Sequence, residues 1–173
     1  MVKKRGNWFA WRRRLSMICL LFWIMSIAVS VHAQTNEAAA EGRKVVYVVP
    51  VEQTIESGLE QFLRRSFAEA AGAGADYIVL EINTLGGAID AALDIGDLIK
   101  NSSIPVVAYI KGRAISAGSY IALNADQIVM HPGATIGAAA VVDISGTPVE
   151  DSKVIGTWSG ERTAAAELHG RNP

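Results

Sequence analysis

Apolar positions fall in three distinct rhythms along the chain. The first is an unbroken run, LSMICLLFWIMSIAVS, which follows Lys3, Lys4, Arg5, Arg12, Arg13 and Arg14 with no acid among them and is closed by VHAQ. The second rhythm is short apolar blocks: KVVYVVP, DYIVLEIN, IPVVAYI and DQIVMH. They have strand length, and a strand covered by helices on both faces is expected to be apolar at most positions, as DYIVLEIN is. The third has helical spacing. In TIESGLEQFLRRSFAEAAGAGA, Ile55, Leu59, Phe62, Leu63 and Phe67 fall on one face. Ser57 with Glu60 three residues later predicts a capping box, and Gly72 and Gly74 predict the stop. AIDAALDIGDLIKNSS predicts a second helix with Ile89, Leu93 and Leu98 inward, YIALNA a third, and VEDSKVIGTWSGERTAAAELHG a fourth from about Glu150. Pro50 is expected to end the first strand and TLGG to break the second.

Strand and helix therefore alternate, which predicts an α/β fold with a mostly parallel sheet flanked by helices. Right-handed crossovers would place every strand-to-helix turn at one edge of that sheet. In such sheets ligands sit at the carboxyl ends of the strands. Both TLGG, Thr84 to Gly87, and KGRAISAG, Lys111 to Gly118, occupy that edge.

The first rhythm changes the picture of the whole chain. A basic start, an apolar middle and a small-x-small end form an export signal, with cleavage placed after Ala33. The run has 16 residues against the roughly 20 a spanning helix needs, which favours cleavage over an uncleaved anchor. Residues 1–33 are thus read as a signal peptide or N-terminal anchor, 34–42 as a flexible lead-in, and 43–173 as one domain. The full chain carries a formal net charge of −1, but removing the six leader cations leaves ten basic against seventeen acidic residues, a net of −7. An acidic domain with no basic stripe argues against nucleic acid as a partner. The single cysteine, Cys19, lies in the leader, and only His131 and His169 remain as histidines beyond it. Neither a disulfide, a thiol nucleophile nor a zinc centre is expected.

Two features could carry chemistry. Gly86-Gly87 can turn the backbone tightly and aim N–H groups at a developing negative charge, although a plain βα turn would need the same residues. Ser116 sits in Ala-x-Ser-x-Gly. A serine in front of a helix is ordinarily a cap, yet small neighbours are also what a nucleophile on a sharp turn requires, and the N–H of Ala117 could then join the glycine pair as an oxyanion hole. A nucleophilic serine needs a base. His131 at a strand end and Lys153, next to Val154 and Ile155, are both available, and local sequence alone does not choose between them.

Taken together, GADYIVLEINTLGGAIDAA, IPVVAYIKGRAISAGSYIAL, ADQIVMHPGATIGAA and ELHGRNP resemble the Clp-protease/crotonase superfamily. Within it they are similar to the NfeD-type membrane-associated serine proteases, relatives of signal peptide peptidase A. The match runs in order from about Val45 to Pro173. The resemblance implies a (ββα)-type fold over 43–173 and a serine endopeptidase with a Ser-Lys dyad that needs no metal or cofactor. Ser116 would be the nucleophile, Lys153 the base, and Gly86, Gly87 and Ala117 the oxyanion donors, which leaves His131 no role. It also implies a homodimer outside the cytoplasm, periplasmic or membrane-attached, cutting hydrophobic segments of stomatin-like membrane proteins. The alternative is a non-catalytic dimerising scaffold working with such a partner. Leu85 stands where the family usually has proline, and Ile115 where it usually has alanine. Full-length relatives continue into membrane spans and a small β-barrel, so a chain ending at Pro173 is expected to be a short form or part of a longer gene product.

Overall fold

The computed structural model describes residues 42–143 and 145–172. The predicted leader and nearly all of the lead-in lie outside the described residues. The elements are β1 (Val46–Ile55), α1 (Ser57–Gly72), β2 (Tyr77–Gly87), α2 (Ile89–Lys100), β3 (Val106–Ile115), α3 (Ala117–Asn124), β4 (Gln127–Met130), β5 (Thr135–Gly137) and α4 (Ser152–Leu168). All strand pairings among these are parallel, in the spatial order β1-β2-β3-β4, with β5 also paired to β3.

That order explains where the helices lie. It never reverses, so each right-handed crossover steps the chain in the same direction and drops its helix on the same face. Ile78, Leu80 and Ile82 of β2 and Val106, Ala108 and Ile110 of β3 point to that face and are fully buried with Leu63, Ile95 and Ile121 of the helices. The expectation of a sheet covered on both faces is corrected accordingly. Val46, Val48, Tyr77 and Val129, on the opposite face, are exposed. The strands alternate, and DYIVLEIN reads as continuous only because Tyr77 and Val79 add apolar residues to the outer face.

Each long strand is also two short ones. The register shifts between Glu52 and Thr54 in the β1–β2 pairing and between Ile82 and Thr84 in the β2–β3 pairing. At the same level β3 stops pairing with β4, at Ile110, and begins pairing with β5, at Arg113. This two-part strand followed by a helix is the predicted ββα unit. It corrects two boundaries. Pro50 does not end β1, because β1 is an edge strand and can tolerate a residue without an N–H. TLGG does not break β2 but forms its second segment, running to Gly87.

Two helix details also differ from expectation. Glu56, not Ser57, is the N-cap of α1, and Glu60 accepts from Arg64 and Gln61 instead of closing a capping box. The buried stripe of α2 is Ala91, Ala92, Ile95, Gly96 and Ile99, while Ile89, Leu93 and Leu98 are only partly buried. Small residues let α2 lie close to its neighbours, so the larger ones flank the contact.

Candidate active site

The end of β3 delivers Ser116 in an unusual backbone conformation, φ 54° and ψ −122°. A non-glycine residue there is strained by about 1–3 kcal/mol and persists only where its surroundings hold it. Three contacts hold this one. Its N–H donates to Gly137 O of β5 at 2.9 Å. Its carbonyl accepts from the Ser119 N–H at 2.9 Å and from Ser119 Oγ at 2.7 Å. Ser116 occupies the N-cap position of α3, but its side chain makes no cap hydrogen bond. Its Oγ has no hydrogen-bond partner among the described residues, so the hydroxyl is not used as a cap.

The opposite wall is the second segment of β2. Gly86, at φ 110°, lies so close that a Cβ there would sit 2.7 Å from Ser116 Cβ and 3.2 Å from its Oγ. Thr84 fixes this segment. Its Oγ1 donates to Gln53 O and accepts the Gly86 N–H at 3.1 Å. Its Cγ2 touches α3, where a Cβ on Gly118 would come within 2.6 Å. The sequence did not single out Thr84, although a threonine directly before a glycine-rich turn is a signal that could have done so. Leu85, in place of proline, is largely exposed and holds nothing. Gly87 faces away from Ser116, its Cα set against the backbone of Ile55, where an added Cβ would sit 2.1 Å from Ile55 O. Gly86, Ala117 and Ser116 are therefore brought together, and Gly87 supports them from the β1 side. The N–H groups of Ala117 and Gly118, at the start of α3, have no acceptor among the described residues.

Lys153 belongs to another element. It is the second residue of α4, whose N-cap Asp151 accepts the Lys153 and Val154 N–H groups at 2.8 and 3.3 Å. Its side chain is exposed and is not hydrogen-bonded to Ser116. It lines an apolar cavity of about 350 Å³ with Ile89 and Leu93 of α2 and Trp158 of α4. Ile89 opens α2 two residues after Gly87, so this cavity lies at the same end of the fold as the glycine pair. His131 directly follows the end of β4, and its N–H donates to the carbonyl of Ile110, at the middle of β3 and short of the end that carries Ser116. Its ring is exposed and meets Pro132 O. Among the described residues no group of His, Cys, Asp or Glu could hold a metal ion.

α4 is anchored at both ends of its buried face. Trp158 stacks obliquely on Tyr120 at 5.1 Å and donates to Ala139 O at 3.0 Å. Burial pushes the Tyr120 phenol above its usual pKa, with Lys100 opposing. Past the helix, Arg171 donates to the carbonyls of Leu123, Ala125 and Asp126 at 2.7, 2.8 and 3.1 Å, closing the C-terminal end of α3. Arg171 thus ties the end of α4 to the helix whose other end carries Ser116.

A family model described as NfeD1b, N-terminal domain, matches residues 45–173. The membrane protein NfeD1b of Bacillus subtilis (strain 168) is 44% identical over 153 residues, 88% of this chain and 33% of that protein. The chain thus spans about a third of that relative's length. Among solved structures, a lysine-to-alanine mutant of the 1510-N membrane-bound stomatin-specific protease in complex with a substrate peptide superposes with a TM-score of 0.70, at 31% identity, over 76% of this chain and 63% of that one. ClpP1 from Listeria monocytogenes shares the fold, with a TM-score of 0.57 at 21% identity over 73% of this chain and 81% of that one. The fold is Clp-protease-like. Among the described residues no helix is long and apolar enough to cross a membrane.

Proposed function

Because the chain belongs to the NfeD1b N-terminal-domain family, we propose that it is a serine endopeptidase using a Ser116–Lys153 dyad outside the cytoplasm. Residues 1–33 would direct export, 34–42 would act as a lead-in, and 43–173 would form the protease domain, working as a homodimer. The observation that carries this reading is the strained Ser116, held at a strand-to-helix turn with a free hydroxyl and packed against Gly86.

In this reading Ser116 Oγ attacks a peptide carbonyl and Lys153 takes its proton, later passing it to the departing amine. The N–H groups of Ala117 and the Gly86–Gly87 segment meet the oxyanion, with the Gly86 N–H shared with Thr84 Oγ1. A lysine works as a base when desolvated. The apolar cavity beside Lys153 supports that role, because a peptide filling it would strip water from the ammonium. By analogy with the stomatin-specific relative, the substrate is a hydrophobic segment of a stomatin-like membrane protein. Ser116→Ala and Lys153→Ala are each expected to abolish cleavage of such a segment. Near-normal turnover by Lys153→Ala would remove the dyad.

A second reading, a non-catalytic dimerising scaffold for a stomatin-like partner, is favoured by the exposed Lys153 with no bond to Ser116. A fluorophosphonate probe separates the two. Labelling of the native protein but not of Ser116→Ala supports the protease, and a native protein inert to the probe supports the scaffold.

A further inference from the structure

A second cavity, of about 300 Å³, opens between α3, β5 and α4. We propose that it is a subsite for an acidic side chain next to the scissile bond, with Arg162 binding the carboxylate; this rests on the protease reading above.

Two walls of the cavity are the groups that hold the nucleophile. Gly137 accepts the Ser116 N–H, and the Ser119 hydroxyl donates to Ser116 O. The cavity thus adjoins the backbone of the nucleophile, and in this proposal a substrate residue next to the attacked carbonyl enters it. The remaining walls divide by chemistry. Leu123, Ile136 and Ala166 offer apolar surface, while Ser159 and Thr163 offer hydroxyls beside Arg162. An aliphatic stem ending in a charged group matches that division.

The sign of the charge follows from Arg162. Its Nε is buried and has no hydrogen-bond partner, one of two such side-chain atoms among the described residues. No carboxylate forms an ion pair with it there. That Nε is closed to solvent, so what the cavity offers a ligand is the rest of the half-buried Arg162 guanidinium, whose fork of N–H groups fits a carboxylate better than any neutral acceptor. The other orphan, Asn124 Oδ1, lies in the α3 core and does not line this cavity. Glutamate, with a two-carbon stem, fits the apolar walls and the cationic end together. The site would thus select an acidic residue within an otherwise hydrophobic segment.

The test uses peptides identical except for Glu, Gln or Leu at the positions flanking the scissile bond. The native protein should cleave the Glu peptide with a kcat/KM about tenfold or more above the Gln peptide, the scale of a charge-assisted hydrogen bond. Arg162→Leu should bring that ratio to about one, and Arg162→Lys should retain part of it. Equal rates for Glu and Gln in the native protein, or a preference that survives Arg162→Leu, would overturn the proposal. Calorimetry with Ser116→Ala protein supplies an arm that needs no turnover. Tighter binding of the Glu peptide there, with a native protein that cleaves nothing, keeps the subsite and removes the protease reading. Equal binding, or none, overturns the subsite.

Discussion

Replacing Gly86 by alanine tests whether the site depends on how closely β2 approaches β3. The new Cβ would lie 2.7 Å from Ser116 Cβ and 3.0 Å from Ile115 O, both on a backbone that cannot yield without moving the nucleophile. The φ of 110° adds a penalty for any side chain, about 1–3 kcal/mol. Overpacking of a tight contact costs about 1–3 kcal/mol more, so the domain should lose about 2–6 kcal/mol. For a domain of this size that is a fall in Tm of about 3–5 °C per kcal/mol. Melting and fluorophosphonate labelling should be measured on the same samples below the lowered Tm. The folded variant should label at under about one per cent of the native rate, the loss expected when a preorganised oxyanion site is displaced. A Gly86→Ala protein that melts and labels like the native one would refute the reasoning. Gly87→Ala provides the contrast: its Cβ would meet the Ile55 backbone at 2.1 Å, so it should disturb the β1–β2 pairing first and the labelling only through it.

Thr84→Val keeps the shape of a 3% exposed side chain but leaves the buried Gly86 N–H and Gln53 O unpaired. It should cost about 1–3 kcal/mol in a urea titration and slow labelling of Ser116. Arg171→Ala removes three hydrogen bonds to the end of α3 and should cost about 2–3 kcal/mol, with Arg171→Lys recovering less than half because an ammonium cannot span three carbonyls. Asp76 is held below the usual carboxylate range, first by its hydrogen bond from Lys44 and then by the Val45 N–H. Its contribution is therefore present above the unfolded carboxylate pKa and is lost as pH falls through the lower folded value. Asp76→Asn should flatten that acid-side decline in Tm.

The strand and helix sequence was legible because each element carries its own rhythm, and the position of Ser116 at a strand end followed from the order alone. What was not legible depends on contacts between distant segments. Pro50 reads as a stop until β1 is known to be an edge strand. TLGG reads as a break because its glycines are locally flexible, yet pairing with Thr54 and Ile55 keeps it in the sheet. The open outer face could not be read, since it follows from the unreversed strand order and not from any one strand. Arg162 gave no signal either: in GERTAAA it is an ordinary helix residue, and only the packing of α4 over α3 buries its Nε.

The two departures from the family pattern bear differently on the site. Proline at position 85 would fix one φ, but here Thr84 does more by bonding across to β1 and back to Gly86, while Leu85 projects into solvent. The turn is therefore set by a cross-strand constraint, which residue 85 does not enter. Ile115 is only partly buried and lies opposite Gly137 in the β3–β5 register. A glycine across the ladder leaves room for a β-branched side chain, which a strand favours in any case. The strain at Ser116 is thus carried by backbone bonds on both sides, from β5 and from α3, and neither substitution touches them. Lys153 has no comparable support: Asp151 fixes its backbone, but nothing among the described residues fixes its amine. In the proposed dyad, a peptide filling the cavity between Ile89, Leu93 and Trp158 would supply the missing constraint, which makes substrate occupancy the step that assembles the base.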